Sequence, residues 1–409
     1  MEPRNAKSYV QSGLEKHIKG DQDGALADFD RAIALDPSNV EAFYDRGNAK
    51  VAKDDFAGAV ADYTKAVELY PAGAELVHPK RKNVYMSRGQ AKSLKRDYAG
   101  ASADYAQVLE LDPKNMKAYY QLADLNSLKH DDSAAIFDYT KAIELDPKNA
   151  FSYSGRGIVE DAKGDHDAAI ADFDKALTLD PKSANVYMTR AEAKTSKGDR
   201  DGALADFDQA IKLEPTNALD YVFRGRAKGS FGDYEEAVAD YTKAIKLEPK
   251  TALAYVYRAT ERYDHQAWKE ALEDYRKICA LTPDHQTYAR LRIWLIRSRT
   301  GDRAQADAEL TEFLAAAPAH GQEWLAQIGG FLTGKSSEED LLKTAAAGDA
   351  QTARTRQVVA YFIVGTKRLI DGDKAGALEL LKKSMATDLK GKQSYRSAAA
   401  EVKRLDGDK

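Results

Sequence analysis

The chain has a single cysteine, Cys279, in 409 residues. A lone thiol excludes an internal disulfide and a thiolate metal cage. No apolar run reaches the ~18 residues of a membrane span, and the start from Met1 to Lys7 lacks the apolar stretch of a signal peptide. The chain as it stands is therefore expected to be soluble, as a form trimmed of a signal peptide would also be. Charge of either sign is not in excess: Lys+Arg 61 against Asp+Glu 65 leaves −4, which gives no reason to expect nucleic acid or an anionic membrane as partner. The seven histidines (17, 78, 130, 166, 265, 285, 320) show no H-x-x-x-H or equivalent metal spacing. Serine, histidine and acidic residues are too dispersed for a triad, so neither catalysis, metal nor cofactor is expected. What remains suffices for a core, with 43% hydrophobic and 31% charged residues. Length alone allows two to four globular units, but a repeat array would escape that count.

Such an array is present. Prolines fall at Pro37, Pro71, Pro113, Pro147, Pro181, Pro215, Pro249 and Pro283, every interval being 34 residues except the second, which is 42. The excess predicts an eight-residue insertion at 74–81. With this proline numbered 32, position 4 is always aromatic, from Tyr9 and Phe43 to Tyr221 and Tyr255, and position 8 is always Gly or Ala. Position 20 is always alanine, position 24 always aromatic, and position 27 alanine except at Val108 and Ile278. Positions 20, 24 and 27 lie at i, i+4 and i+7, one face of a helix. Each unit therefore reads as two helices of about a dozen residues, joined by turns such as Gly164-Asp165 and stopped by the proline. One pair cannot bury both of its faces, so stability must come from stacking neighbours.

This combination on a 34-residue period resembles the tetratricopeptide repeat (TPR) family over residues 6 to about 285. Two departures stand out. The family's leucine at position 7 is arginine in six units (Arg46, Arg88, Arg156, Arg190, Arg224, Arg258), and its aromatic at 11 is often lysine (Lys16, Lys50, Lys92, Lys194, Lys228). Position 23 is aspartate in every unit, from Asp28 to Asp274. The repeated Arg and Asp predict a structural ladder of charge-assisted pairs within or between repeats.

Past Pro283 the pattern weakens. Residues 286–318 read as a degenerate ninth repeat, with Arg290, Arg292, Arg297 and Arg299 around Trp294. On a helix these arginines split between two faces, which favours solvated faces beside a packed tryptophan and leaves a secondary basic patch as the binding alternative. Two short helical stretches follow, around Trp324 and Leu341-Leu342; Tyr361, Gly365, Gly372-Asp373, Ala377 and Leu381 then regain the spacing of a repeat, and Gln393 to Leu405 reads as a capping helix. The expected organisation is thus eight regular repeats over 1–285, degenerate repeats over 286–357, and a final repeat with its cap over 358–409. This tail resembles that of bacterial TPR lipoproteins and secreted TPR proteins of the new-lipoprotein-I type, although the lipid-bearing cysteine is absent. That likeness implies a bacterial protein of the cytoplasm, the periplasm or the exterior.

Gly329 to Ser336 satisfies G-x-x-x-x-G-K-[ST], a phosphate loop. No strand precedes it and Glu338, Glu339 and Asp340 would repel a nucleotide, so a turn between helices is expected, with Ser337 and Asp340 able to form an N-cap pair. The Asp-x-Asp-Gly turns at Asp21 and Asp199 lack the spacing of a calcium loop and lie where helix N-caps belong.

The TPR resemblance implies an all-α right-handed superhelix of about eleven helix-turn-helix units, a non-catalytic scaffold or adaptor that binds a protein or peptide segment. It places ligand contacts at positions 2, 5, 6, 9, 12 and 13 of the first helices. Position 5 runs Val10, Tyr44, Met86, Tyr120, Ser154, Met188, Val222, Val256, and this apolar stripe is the expected contact line. The alternative is partial burial of position 5 by its neighbours. Lys and Asn do not fall where TPR chaperone partners use them to clamp a terminal carboxylate. A self-associating scaffold, with terminal repeats filling another copy's groove, is the second functional reading.

Overall fold

A computed structural model describes residues 5–70, 80–282, 286–316 and 323–407. Of the insertion expected at 74–81, residues 74–79 lie outside these, as do Pro71, Pro283 and Pro318. The described residues form α-helices and no strand. They divide into two compact units, 1–197 and 198–409. In the first, α1 (Ala6–Ile18) pairs with α2 (Gln22–Leu35), α3 (Val40–Val51) with α4 (Phe56–Glu68), α5 (Arg81–Leu94) with α6 (Tyr98–Leu111), α7 (Met116–Leu128) with α8 (Asp132–Leu145), and α9 (Ala150–Ala162) with α10 (His166–Leu179); α11 (Ala184–Lys197) closes it. Asn caps the first helix of most pairs and Asp the second. Asn39 Oδ1 accepts from the Ala42 N–H at 2.9 Å and Asp55 Oδ1 from the Gly58 N–H at 2.9 Å, worth ~1 kcal/mol per cap. The Asp-x-Asp-Gly turns are such caps: Asp21 and Asp199 accept from Gly24 and Gly202. The residue before each of these Asp caps takes a positive φ, which Gly164 adopts at 89° and Arg96 at 63°.

The core follows the period. Alanine at position 20 is fully buried in every repeat, and the aromatic at 24 is at most 4% exposed. The small residue at position 8 is where the two helices cross: a Cβ on Gly47 would lie 2.6 Å from the Tyr63 ring.

Beside that crossing runs the polar ladder. Arg46, Arg88, Arg156, Arg224 and Arg258 each grip the position-23 aspartate of their own repeat through Nε and Nη2; for Arg156 and Asp172 the distances are 2.7 and 2.8 Å. Two-point contacts of this kind are short and directional. The lysine or arginine at position 11 reaches the same carboxylate, as in Lys50–Asp62 (2.8 Å), Lys92–Asp104 (2.9 Å), Lys228–Asp240 (2.8 Å) and Arg262–Asp274 (2.6 Å). The free arm of the arginine, Nη1, crosses to position 25 of the preceding repeat: Arg46 to Asp30 at 2.7 Å, Arg156 to Thr140 at 3.0 Å, Arg224 to Asp208 at 2.6 Å, Arg258 to Thr242 at 2.8 Å. Each of the six guanidinium groups also lies over the position-4 ring of its own helix, 5.4 to 6.0 Å from the centroid. The ladder therefore joins pairs both within and between repeats.

Two rungs deviate. In the fourth repeat Leu122 and Asn126 replace the cations, and Asp138 is left with an amide donor, Asn126 Nδ2 at 2.9 Å. Burial pushes Asp138 up to about 6. In the fifth, Glu160 stands where other repeats have lysine, and burial together with Asp172 raises it to about 7.

The second unit begins with α12 (Arg200–Leu213) and continues as α13 (Ala218–Phe231) with α14 (Tyr234–Leu247), α15 (Ala252–Asp264) with α16 (Trp268–Leu281), and α17 (Gln286–Arg299) with α18 (Arg303–Ala316). Short helices α19 (Glu323–Leu332) and α20 (Glu338–Ala345) lead to the pair α21 (Ala350–Ile370) and α22 (Lys374–Ala386). In that pair Asp373 caps α22 and Gly365 meets Leu381. The last helix, α23 (Gln393–Gly407), packs on α15, α21 and α22.

Replacing Asp104 by Asn strands Arg88 and Lys92 beside an apolar crossing and is expected to cost ~3 kcal/mol, whereas Asp138→Asn, which loses no cation, leaves the melting temperature at neutral pH unchanged or higher. The carboxyls of Asp138 and Glu160 stay protonated in the folded chain at pH values where the unfolded chain has released those protons. Folded protein thus binds more protons between about pH 4 and 7, and their contribution to stability falls as pH rises through that window. Glu160→Lys, which restores the common rung, is expected to raise the melting temperature at pH 7.5; thermal melts across pH measure both effects.

Candidate functional site

In the first unit the first helices of successive pairs stand side by side, and their exposed positions line a continuous cleft. One part of it, about 390 Å³, is bounded by Asn48 and Val51 of α3, Ser87, Gln90, Ser93 and Leu94 of α5, and Gln121 of α7. An adjoining depression of about 280 Å³ adds Tyr44, Asn83, Met86 and Lys117, and a third, of about 290 Å³, lies among α1, α3 and the start of α5 at Leu14, Glu41, Tyr44, Asp45, Lys80 and Asn83. Except for Lys80, these residues occupy positions 2, 5, 6, 9, 12 and 13 of their repeats, where the family resemblance places ligand contacts.

The cleft floor is built by side chains that reach through from the second helices. A buried tyrosine hydroxyl needs a partner, and here the partners are polar groups of the cleft. Tyr63 Oη donates to Asn48 Oδ1 at 2.8 Å, Tyr105 Oη to Gln121 Oε1 at 3.2 Å, and Tyr139 Oη to Asp124 at 2.5 Å. With their oxygens engaged, Asn48 and Gln121 are oriented to use their NH2 groups as donors. Tyr44 packs against Tyr63 and Tyr120 against Tyr139, both with ring centroids 5.8 Å apart.

The position-5 stripe is corrected by this packing. Val10, Met188, Val222 and Val256 are at most 8% exposed, and Ser154 is likewise buried. Val10 lies in one apolar cluster with Ala25, Phe29 and Ala42, and Val222 in another with Tyr241 and Ala254. Adjacent first helices approach closely enough that position 5 turns into the seam between repeats. Only Tyr44, Met86 and Tyr120 of the stripe are partly exposed; Tyr44 and Met86 line the cleft, and Tyr120 directly precedes its Gln121 on α7. Asp45, Asn48, Ser87, Gln90 and Gln121 belong to the same wall, with Asp124 one turn beyond Gln121 on α7, and were not part of the expected contact line; their signal in the sequence is that they fill positions 6 and 9 of the same three helices.

The arginines of α17 are also corrected. They do not form a solvated basic patch. Arg292 is 1% exposed, stacked on Phe362 (4.4 Å), Tyr263 (4.5 Å) and Tyr288 (5.2 Å), with hydrogen bonds to Tyr288 Oη and Ser397 Oγ. Arg297 is buried and pairs with Glu309 at 3.0 Å, Arg299 pairs with Glu401 at 2.5 Å, and Arg290 lies over Phe313. Trp294 is packed as expected, at 1% exposure. Arg290 and Arg297 are taken up by α18, and Arg292 and Arg299 by α21 and α23, neighbour relations that helical periodicity does not reveal.

The phosphate-loop sequence does not form such a loop. Gly329 to Leu332 are the last turn of α19, and the N–H groups of Lys335 and Ser336 donate to the Gly330 carbonyl at 2.7 and 3.3 Å. They are spent on the chain itself. Ser337 and Asp340 form the expected capping box of α20.

Profiles described as TPR repeat match residues 13–54, and those described as tetratricopeptide repeat match 40–72, 83–115, 129–184, 184–217 and 224–285, together more than half of the sequence. The chain belongs to the tetratricopeptide repeat family. No curated protein matches it. Among solved structures, a tetratricopeptide repeat protein from Parabacteroides merdae is 20% identical, with 62% of this chain and 97% of that one covered and a TM-score of 0.52. The C-terminal part of a TPR repeat-containing protein from Cytophaga hutchinsonii is 16% identical, covering 60% and 97%, with a TM-score of 0.50. MamA is 27% identical over 43% of this chain and 96% of its own, with a TM-score of 0.39. The first two likenesses are of fold. No described helix of this TPR protein is long and apolar enough to cross a membrane.

Because Arg292 is interior, Arg292→Ala is expected to cost about 3 kcal/mol or more. The loss should persist at high salt, unlike that of a screened surface charge. Thermal melts at low and high ionic strength distinguish the two.

Proposed function

We propose that this TPR protein is a non-catalytic interaction scaffold that captures an extended peptide segment of a partner protein in the first unit's cleft. The observation that carries this reading is the row of neutral amides and hydroxyls, Asn48, Ser87, Gln90 and Gln121, two of them held by buried tyrosines. An extended peptide brings unpaired backbone N–H and C=O groups, and amide side chains offer both a donor and an acceptor to match them. Tyr44, Met86 and Tyr120 supply apolar surface between these polar points, where aromatic anchors contribute most to binding. A wall already fixed by the repeat core avoids part of the ordering cost on the receptor side. The family assignment supports the same class of function, since TPR arrays serve mainly as interaction modules.

The second unit offers less of this face. Glu261 of α15 is paired with Arg396 of α23, and the Asp264 carbonyl accepts from Arg404. The chain's own last helix therefore covers the first-helix side of the eighth repeat.

A thiol placed at Gln90 and coupled to a bulky maleimide, in a Cys279→Ser background, is expected to abolish capture of cleft-binding peptides. The same label at Lys175, exposed on α10, should leave it intact. Fluorescence anisotropy with labelled peptides reads the outcome. Equal binding in both conjugates would place the site elsewhere.

A further inference from the structure

The cleft has a charge that its amides do not explain. Asp45 on α3 and Asp124 on α7 are half-buried carboxylates, and neither forms an ion pair among the described residues. Lys80, near Asp45, is paired with Glu41, and the His17 ring is bonded to Gln22. Lys82 in the same cleft is paired with Asp112, and Lys117 is exposed. Burial and the neighbouring Glu41 push Asp45 up to about 6, and burial raises Asp124. A carboxylate withdrawn from water without a counter-charge is costly, and that cost disappears when a cation arrives.

Both carboxylates sit beside tyrosine pairs: Asp45 follows Tyr44, which packs on Tyr63, and Asp124 accepts from Tyr139, which packs on Tyr120. Carboxylate and ring faces together favour an ammonium or guanidinium group. The repeat ladder already combines these elements, as where Arg156 grips Asp172 and lies over Tyr153. In the second unit the first-helix carboxylate of Glu261 is met by Arg396 of α23, whereas among the described residues no cation pairs with Asp45 or Asp124.

Resting on the peptide-binding reading, we propose that the cleft selects a basic segment: an extended stretch of a partner protein with two Lys or Arg side chains, one on Asp45 and one on Asp124, and an apolar side chain over Met86 between them. The carboxylates lie on helices two neighbours apart. At about 8–10 Å per neighbouring helix the span is roughly 16–20 Å, the reach of about five or six extended residues. The basic side chains are therefore expected at that spacing.

The test is selection of a random peptide library displayed on phage against the full chain, followed by resynthesis of the selected peptides. Their affinities are measured for the unmodified protein, for Asp45→Asn with Asp124→Asn, and for the Gln90-labelled conjugate. Asn is a mild change at 124, because Asn48 already occupies the same relation to Tyr63 that Asp124 has to Tyr139; thermal melts check that folding is kept, and Asp45→Asn alone carries the test if it is not. The expected result is enrichment of paired basic residues five or six apart, a loss of about tenfold or more in affinity in the Asn variant, and weakening by salt. Peptides that the Gln90 label blocks but that lack basic residues, or that bind the Asn variant equally well, overturn the basic-segment inference and leave peptide binding standing. If the label blocks no selected peptide, both fall.

Discussion

The interaction on which the array depends is the grip of the position-7 arginine on the position-23 aspartate. The gripped carboxylate is nearly excluded from water, from 2% exposed Asp104 to 7% exposed Asp172, so its cost is acceptable only if every lone pair is engaged. Arg156 meets that demand with two parallel bonds to Asp172, lies over Tyr153, and still has an arm for Thr140 of the preceding repeat. One side chain thereby ties first helix to second helix and repeat to repeat. A buried ion pair of this kind adds little net stability over a well-packed apolar pair. Its contribution is registry: a helix that slips by one residue leaves an uncompensated charge in the core, so the stacking that stabilises a repeat array is confined to one alignment.

That alignment is what makes the cleft possible. The tyrosine at position 24 is a core knob on one side and a hydrogen-bond donor on the other, and its hydroxyl emerges at positions 6 and 9 of the first helices. Tyr63, Tyr105 and Tyr139 use it to fix Asn48, Gln121 and Asp124. Where the knob is phenylalanine, as at Phe29, Phe173 and Phe207, no such anchor exists. In the second unit the buried Tyr241 hydroxyl finds no partner. The same core position therefore builds a polar binding wall along α3, α5 and α7 and an apolar seam elsewhere.

The period exposed much of this in advance. Proline, alanine and aromatic spacing identify the helix pairs, the crossing and the core, because each of those features is a property of one repeat. The capping box at Ser337 was legible from local spacing, and the ladder from the recurrence of Arg and Asp at fixed positions. Position 5 was not. A single amphipathic helix assigns Val222 to the face opposite its own partner helix, yet whether that face meets water depends on how near the next first helix stands. Arg292 misled in the same way: nothing local to α17 indicates that Phe362, more than sixty residues later, will cover it. Both failures concern contacts distant in sequence, on which a repeat register is silent.

The two units put one surface to different uses. Around α15 the first-helix face carries Glu261 and Asp264, and α23 brings Arg396 and Arg404 onto it while Glu401 answers Arg299. There the Glu261 carboxylate has its counter-charge within the chain, while the Asp264 carboxyl stays buried with one oxygen unpaired. Along α3 to α7 the aromatic surface and the carboxylates recur, but nothing described covers them. A carboxylate paired within the chain needs no ligand to relieve its burial; unpaired carboxylates such as Asp45 and Asp124 cost stability, and on the reading proposed above an incoming cation would recover that cost. The difference between the units is thus not in fold, since the same repeat makes both, but in which first-helix carboxylates have found their counter-charge.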